Sequence, residues 1–268
     1  MDPGNQLPGL NPRLDVPTPR RTLRFGELVA PRTHSGSGYG AAMDRPHVTV
    51  HSMVSMDGRT DHFAGDIGLY YRTAAMLPHD AVLAGSATLV AAARAAGVDL
   101  SDEDADVSAT VTGDDVPWLV IVDSRGRISR FDWLRAQPHW RGPIVAYTRA
   151  TPAAHLGLLD RNRVERLLAG DDRVDLAGLL GQLAARYGVA RVRVDAGGTL
   201  NGVLLRAGLV DELSLLIAPY AVGGTSPRGV FTAADLPEGA EVARFGLVSV
   251  EQPQPGTVWL RYRSPESP

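Results

Sequence analysis

The segment richest in chemistry is Arg193-Val194-Asp195-Ala196-Gly197-Gly198-Thr199-Leu200-Asn201-Gly202. A β-branched run ends in a carboxylate, two glycines follow, and a helical pattern begins at Thr199. Adjacent glycines let backbone approach an anion closely, while the unpaired amides and dipole of a helix start supply the attraction. A phosphate meets those conditions, and so does a plain strand-to-helix turn with Thr199 as its N-cap. The spacing is not G-x-G-x-x-G, so a standard dinucleotide fingerprint is not licensed.

Three further segments pair a β-rich run with polar groups just beyond it. Val50-His51-Ser52-Met53-Val54-Ser55-Met56-Asp57-Gly58-Arg59-Thr60 places Ser55, Asp57 and Arg59 at a strand exit, where open α/β sheets gather ligands; Asp57-Gly58 is equally good turn chemistry. Asp80 to Thr88 runs strand, glycine turn, then hydroxyl at a helix start, and Thr88 serves there as a ligand or as a cap. Val120-Ile121-Val122-Asp123-Ser124-Arg125-Gly126-Arg127 sets a serine and two arginines past a strand, suited to an adenosine phosphate or to solvated loop charge.

These segments need elements to hold them. Period-two and short β-branched runs predict strands at His47 to Met53, Ala81 to Ala84, Trp118 to Asp123, Ile144 to Thr148, Val164 to Leu168, Ala190 to Asp195, Glu212 to Ala218, Gly246 to Glu251 and Thr257 to Tyr262. Helical patterns fall at Leu69 to Met76, Thr88 to Ala96, Leu176 to Tyr187 and Thr199 to Ala207. The alternation predicts an α/β layer fold, and Gln252-Pro253-Gln254-Pro255-Gly256, with no helical pattern, predicts a closing antiparallel hairpin. Residues 1–44, rich in Pro, Gly and Arg, read as an N-terminal arm, 45–268 as the domain, and the acidic run Ser101 to Asp115 as an exposed loop.

Composition narrows the chemistry. The 268 residues contain no cysteine, which excludes thiol nucleophiles and cysteine-ligated zinc, and no lysine, which excludes Schiff-base enzymes and Walker-A nucleotidases. A net charge of −3 without a basic block argues against a nucleic-acid surface. No apolar run approaches the roughly eighteen residues of a membrane span, and the first residues lack a secretory pattern, so a cytoplasmic address is expected. The seven histidines are scattered without a metal-binding spacing, so no metal is expected; His51 stands out because alternation puts it on one face with Met53 and Ser55.

Taken in this order the segments resemble the pyrimidine reductase family, the reductase domain of bacterial riboflavin biosynthesis. The resemblance runs from about Pro46 to Tyr262. It is carried by Ser55-Met56-Asp57-Gly58-Arg59, the Asp80 to Thr88 run, Asp195-Ala196-Gly197-Gly198-Thr199-Leu200, and Leu205-Arg206-Ala207-Gly208-Leu209-Val210-Asp211-Glu212-Leu213 leading to Ala218-Pro219 and Gly223-Gly224. It implies a dihydrofolate-reductase-like fold: a mixed, mostly parallel sheet flanked by helices.

It also implies NADPH-dependent hydride transfer to a ribosylamine-type pyrimidine by a homodimer. NADPH would rest its phosphates on Gly197, Gly198, Thr199, Leu200 and Asn201, supported by Thr88. Ser124 would meet the adenosine end with Arg125 at the 2′-phosphate, and Met53 and Leu69 would flank the reacting half. Ser55, Asp57 and Asp195 would face the substrate, Asp57 orienting or protonating it and Asp195 second in that role. Asp195 replaces the family's usual glutamate, one methylene longer. Two departures accompany this. Without cysteine the sequence holds no zinc deaminase of the kind that precedes this domain in many relatives. After Thr88, Ala91-Ala92-Ala93-Arg94 and acidic residues replace the usual substrate-phosphate loop, which argues against the usual phosphorylated precursor unless Arg94 or Arg72 compensates. Alternatives within the fold are reduction of dihydrofolate, another pteridine, or a secondary-metabolite imine or carbonyl; outside enzymology, a non-catalytic NADP(H)-binding protein.

Overall fold

The structure, a computed structural model, describes residues 45–101, 116–225, 228–265 and 267. The expected N-terminal arm and most of the acidic loop lie outside these residues. The described residues form nine strands, β1 (His47–Val54), β2 (Ala81–Gly85), β3 (Trp118–Val122), β4 (Pro143–Tyr147), β5 (Glu165–Leu168), β6 (Arg191–Val194), β7 (Glu212–Ile217), β8 (Gly246–Gln254) and β9 (Thr257–Arg263). They form one sheet in the order β5-β4-β3-β2-β6-β1-β7-β9-β8. The first seven run parallel; β9 is antiparallel to β7, and β8 to β9. Pro255-Gly256 makes the hairpin turn, Gly256 taking φ +81°, a conformation that favours glycine.

Among the described residues six helices connect the strands: α1 (Ile67–Ala75), α2 (Ser86–Ala95), α3 (Asp132–Arg135), α4 (Ala153–Arg161), α5 (Leu176–Tyr187) and α6 (Gly198–Arg206). Alternation along β1 sends Val48 and Val50 to one face with Leu179, Leu180 and Leu183 of α5 and Leu204 of α6. The opposite face carries two further clusters. One joins Leu89 and Ala93 of α2 to Leu119, Ile121, Leu158 and Leu159, and the other joins Leu69 of α1 to Leu77, Leu216 and Trp259. Truncating any of these fully buried leucines to alanine removes about 2–5 kcal/mol.

This topology creates a switch point. The chain leaves a slot between β1 and β2, runs outward to β5, and returns through α5 to insert β6 into it. The helices after β1 and β2 lie on one face and α6, after β6, on the other. Chain therefore departs in opposite directions around β6, leaving a crevice at its carboxyl end. That is where Asp195, Gly197 and Gly198 stand.

Candidate active site

The site begins with two helix starts. The N-caps of α2 and α6 are Gly85 and Gly197, and neither helix has a side-chain cap. The α6 helix thus starts one residue earlier than expected, and Thr199 lies inside its first turn instead of capping it. Thr88 is likewise not a cap: its hydroxyl accepts the Gly197 N–H at 3.2 Å, tying the β6 exit to α2. Having accepted, Thr88 keeps its own hydroxyl proton to offer an anion. The N–H groups of Gly198, Thr199 and Leu200 have no protein partner among the described residues. Three free amides, a helix dipole and a hydroxyl at one crevice suit a phosphate.

The paired glycines have different duties. A Cβ on exposed Gly197 would meet Thr88 Oγ1 at 3.9 Å, so the crevice is open there. A Cβ on Gly198 would lie 2.2 Å from the Gly229 carbonyl, and one on Gly202 would lie 2.3 Å from that of Thr232. Both admit the segment 228–232 against the helix, where Thr232 N–H donates to Gly198 O at 2.8 Å. Asn201 serves the same packing: its side chain donates to Val230 O and Ala196 O, and its N–H donates to Gly197 O. The phosphate-binding role expected of the Asn201 and Gly197 amides is therefore corrected: both N–H groups are already bonded. Gly198 retains its free amide, but its lack of a side chain is dictated by protein packing.

At the β1 exit, Gly58 N–H donates to Ser55 O at 2.9 Å, and φ +79° at Gly58 closes the turn. Ser55 is buried; its hydroxyl donates to Asp57 Oδ1 at 2.6 Å and accepts the Arg59 N–H at 2.9 Å. It positions Asp57 rather than facing a substrate. Asp57 also accepts the N–H groups of Val222 at 3.1 Å and Gly223 at 2.7 Å. These donors, Ser55 foremost, hold its carboxyl far below the ordinary carboxylate range. Both oxygens of Asp57 are thus engaged by the protein's own donors, so the contact the structure gives it is to the Val222–Gly223 loop.

Asp195, half-buried, accepts the Tyr70 hydroxyl on Oδ1 at 2.6 Å. Burial, then the Asp195 charge, pushes the Tyr70 phenol well above its usual pKa, so it stays a donor. Below it, Trp259 N–H donates to Ser214 Oγ at 2.7 Å, Ser214 Oγ lies 2.9 Å from His51 Nδ1, and His51 Nε2 lies 3.2 Å from the Tyr70 carbonyl. A carbonyl can only accept, so Nε2 carries the proton and Nδ1 accepts from Ser214. Burial holds the His51 pKa down at about 4, keeping the ring neutral. His51 thus docks α1 on the sheet and thereby sets Tyr70.

Other expected positions separate. Met53 is half-buried against its cluster, whereas Leu69 is 3% exposed and packed among protein side chains, so it does not flank a ligand. Ser124 is half-buried and Arg125 exposed beyond β3. Sequence reasoning missed Tyr70, the Val222–Gly223 amides and the 228–232 segment. The Gly223-Gly224 pair was a signal for the loop; Tyr70 offered none.

Order of strands, switch-point crevice and hairpin define a dihydrofolate-reductase-like α/β protein. Residues 46–259 match the RibD C-terminal domain, and the chain belongs to that family. It is 29% identical over 215 residues to the 2,5-diamino-6-ribosylamino-4(3H)-pyrimidinone 5′-phosphate reductase of Methanothermobacter thermautotrophicus, covering 76% of this chain and 91% of that one. It is 28% identical over 225 residues to the riboflavin biosynthesis protein RibD of Escherichia coli, spanning 78% of this chain and 58% of that protein. The fold is shared with the riboflavin biosynthesis reductase Rib7 of Saccharomyces cerevisiae, with TM-score 0.58, 20% identity, and coverage of 84% of this chain and 93% of that one. Among the described residues no helix is long and apolar enough to cross a membrane.

Proposed function

We propose that the protein is an NADPH-dependent reductase of a C=N or C=O bond in a pyrimidine-type acceptor. One observation carries the reading: the Thr88–Gly197 hydrogen bond draws two uncapped helix starts to the crevice at β6, with free amides at Gly198, Thr199 and Leu200 beside Asp195. NADPH fits these donors and the open space at Gly197, and when bound it supplies the hydride. The chain's own residues do the rest. The α6 amides and Thr88 hold the diphosphate, with Ser124 and Arg125 beyond β3 suited to the adenosine end.

Asp57 fixes the Val222–Gly223 loop to the β1 exit, which shapes the acceptor side of the crevice. Asp195, aligned by Tyr70, accepts an N–H or O–H of the acceptor through its second oxygen, fixing the reacting carbon for attack. With Asp57 held ionised, the proton for the developing nitrogen or oxygen comes from water. We also propose a homodimer. It is supported by the strand β8, which lies at an edge of the sheet and carries the exposed apolar side chains of Leu247, Val248 and Val250.

The test is NADPH oxidation, followed by the loss of its absorbance, with the ribosylaminopyrimidine 5′-phosphate and with dihydrofolate in parallel. Turnover of the pyrimidine supports the reading; failure of the protein to bind NADPH removes it.

A further inference from the structure

Asp195 belongs to two spaces. Besides the crevice, it forms part of the wall of a cavity of about 230 Å³ between α1, α2 and the α3 region. The rest of that wall is chiefly apolar, built from Tyr71, Leu89, Leu119, Trp133 and Trp140. Trp140 is fixed by donating its ring N–H to Leu134 O at 2.6 Å, and Gln137 holds the Trp133 carbonyl at 2.9 Å, so the aromatic wall is braced from behind. Thr88 adds a hydroxyl and His139 an imidazole.

The charge of this wall is informative. Among the described residues it contains one carboxylate and no arginine. The cavity-facing stripe of α2 is Thr88, Leu89, Ala92 and Ala96, and Arg94 lies two residues from Ala92, off that stripe. Arg193, paired in register with Val82 of the wall, is buried, and its Nη1 is engaged by Ala74 O at 3.2 Å and His79 Nε2 at 2.9 Å. A phosphate carries close to two negative charges at neutral pH, and a dianion beside an unpaired carboxylate in an aromatic cavity is repelled and poorly solvated.

An apolar ring suffers neither penalty. A cavity of roughly 150 Å³ accommodates benzene, so this one accommodates a substituted ring. Tyr70 occupies Asp195 Oδ1, while Oδ2 has no protein partner among the described residues and remains available for a donor entering from the cavity mouth.

We propose, resting on the reductase reading, that the acceptor is an unphosphorylated heteroaromatic: an N–H donor meets Asp195 Oδ2 and an apolar ring substituent lies between Trp133 and Leu89. The relatives named above for a 5′-phosphate substrate thus differ from this chain in the distal half of the acceptor, where this chain selects for an aromatic group.

The experiment is a titration of the NADP-loaded protein, read by tryptophan fluorescence, with three probes. They are the ribosylaminopyrimidine 5′-phosphate, the same compound without its phosphate, and 2,4-diamino-5-benzylpyrimidine. The unphosphorylated nucleoside should bind at least as tightly as the phosphate, and the benzyl compound at least tenfold more tightly than either. Trp133→Ala should weaken the benzyl compound at least tenfold and leave NADPH affinity unchanged. Ala92→Arg, which adds a guanidinium to the wall without removing a core side chain, should turn the preference toward the phosphate by at least tenfold. A wild-type preference for the phosphorylated compound above threefold overturns the proposal, as does benzyl binding insensitive to Trp133→Ala. NADPH affinity, measured separately, distinguishes the cases: its absence defeats the reductase reading, whereas intact NADPH binding with a phosphate preference defeats this inference alone.

Discussion

Gly197→Asp separates cofactor binding from folding because its two effects have opposite sign. Gly197 is the N-cap of α6 with φ −75°, and a Cβ there meets Thr88 Oγ1 at 3.9 Å, so an aspartate is accommodated without strain or overlap. Aspartate is a preferred N-cap whose carboxylate accepts N–H groups from the second and third helical residues, here Thr199 and Leu200. Stability should therefore hold or rise by a few tenths of a kcal/mol. Those same amides are the ones assigned to the diphosphate. The variant occupies them and sets a negative charge against the anion; at about 4 Å and an effective dielectric near 20, one such pair costs about 4 kcal/mol, and screening at a crevice mouth reduces this to about 2. NADPH affinity should fall about 30- to 700-fold, at 1.4 kcal/mol per decade. Calorimetric titration with NADPH and thermal melting of the same samples give both numbers, with Gly197→Ala as the uncharged control, expected within about threefold of the parent by the same scale. An NADPH affinity for Gly197→Asp within threefold of the parent's, with Tm unchanged, would refute the assignment of these amides.

Four other outcomes follow from the same geometry. Gly198→Ala drives a methyl to 2.2 Å from the Gly229 carbonyl, so the 228–232 segment must shift; a loss of about 1–3 kcal/mol in denaturant unfolding is expected, and an unperturbed midpoint would contradict the packing. Asp57→Asn replaces an acceptor oxygen with an N–H₂ facing either the Val222 or the Gly223 amide; faster exchange of those two amides and at least about a tenfold drop in kcat/KM should accompany an unchanged NADPH affinity. Tyr70→Phe deletes a hydrogen bond to a charged acceptor, a contribution of about 1.5–3 kcal/mol, and should lower kcat/KM about ten- to hundredfold while NADPH affinity holds. His51, held at about 4 in the folded protein against 6.5 when free, takes up its proton on unfolding, so its contribution is complete above pH 6.5 and is lost as pH falls toward 4. Going from pH 7 to pH 5 should cost about 2 kcal/mol through this residue, His79 and His155 adding in the same direction, and His51→Gln should flatten the Tm–pH curve over that window.

What the sequence disclosed depended on how local the signal was. Strands of buried β-branched residues, such as Trp118-Leu119-Val120-Ile121-Val122, announce themselves because each residue reports its own environment, and all nine expected strands occur within a few residues of their expected bounds. Helix α5 was legible to the residue, with Asp175 accepting the Gly178 N–H at its start and Gly188 at φ +64° closing it. Helix α4 is not among the expected helices although His155, Leu158 and Leu159 show the spacing of a buried face, because nine residues give little more than two turns of periodicity. The four-residue α3 is too short for periodicity to reveal.

The site divides in the same way. The anion-binding strand-to-helix turn was legible because glycines, helix start and carboxylate are consecutive. Its division of labour was not: Gly198, Gly202 and Asn201 serve a segment some thirty residues downstream, a contact that exists after folding and leaves no periodic trace. Leu69 was misread for the converse reason, since a leucine beside a crevice and one beneath it look alike in sequence. Tyr70 became visible once α1 docked on β1 through His51, bringing a phenol to a carboxylate 125 residues away.

Amide resonances recorded with and without NADPH probe the main proposal most directly. The account predicts large shifts and exchange protection at Gly198, Thr199 and Leu200, with little change in protection at Gly197 and Asn201, whose N–H groups are already bonded. Binding that leaves those three amides unmoved, and perturbs instead the opposite end of the sheet around His47 and Arg191, would contradict it.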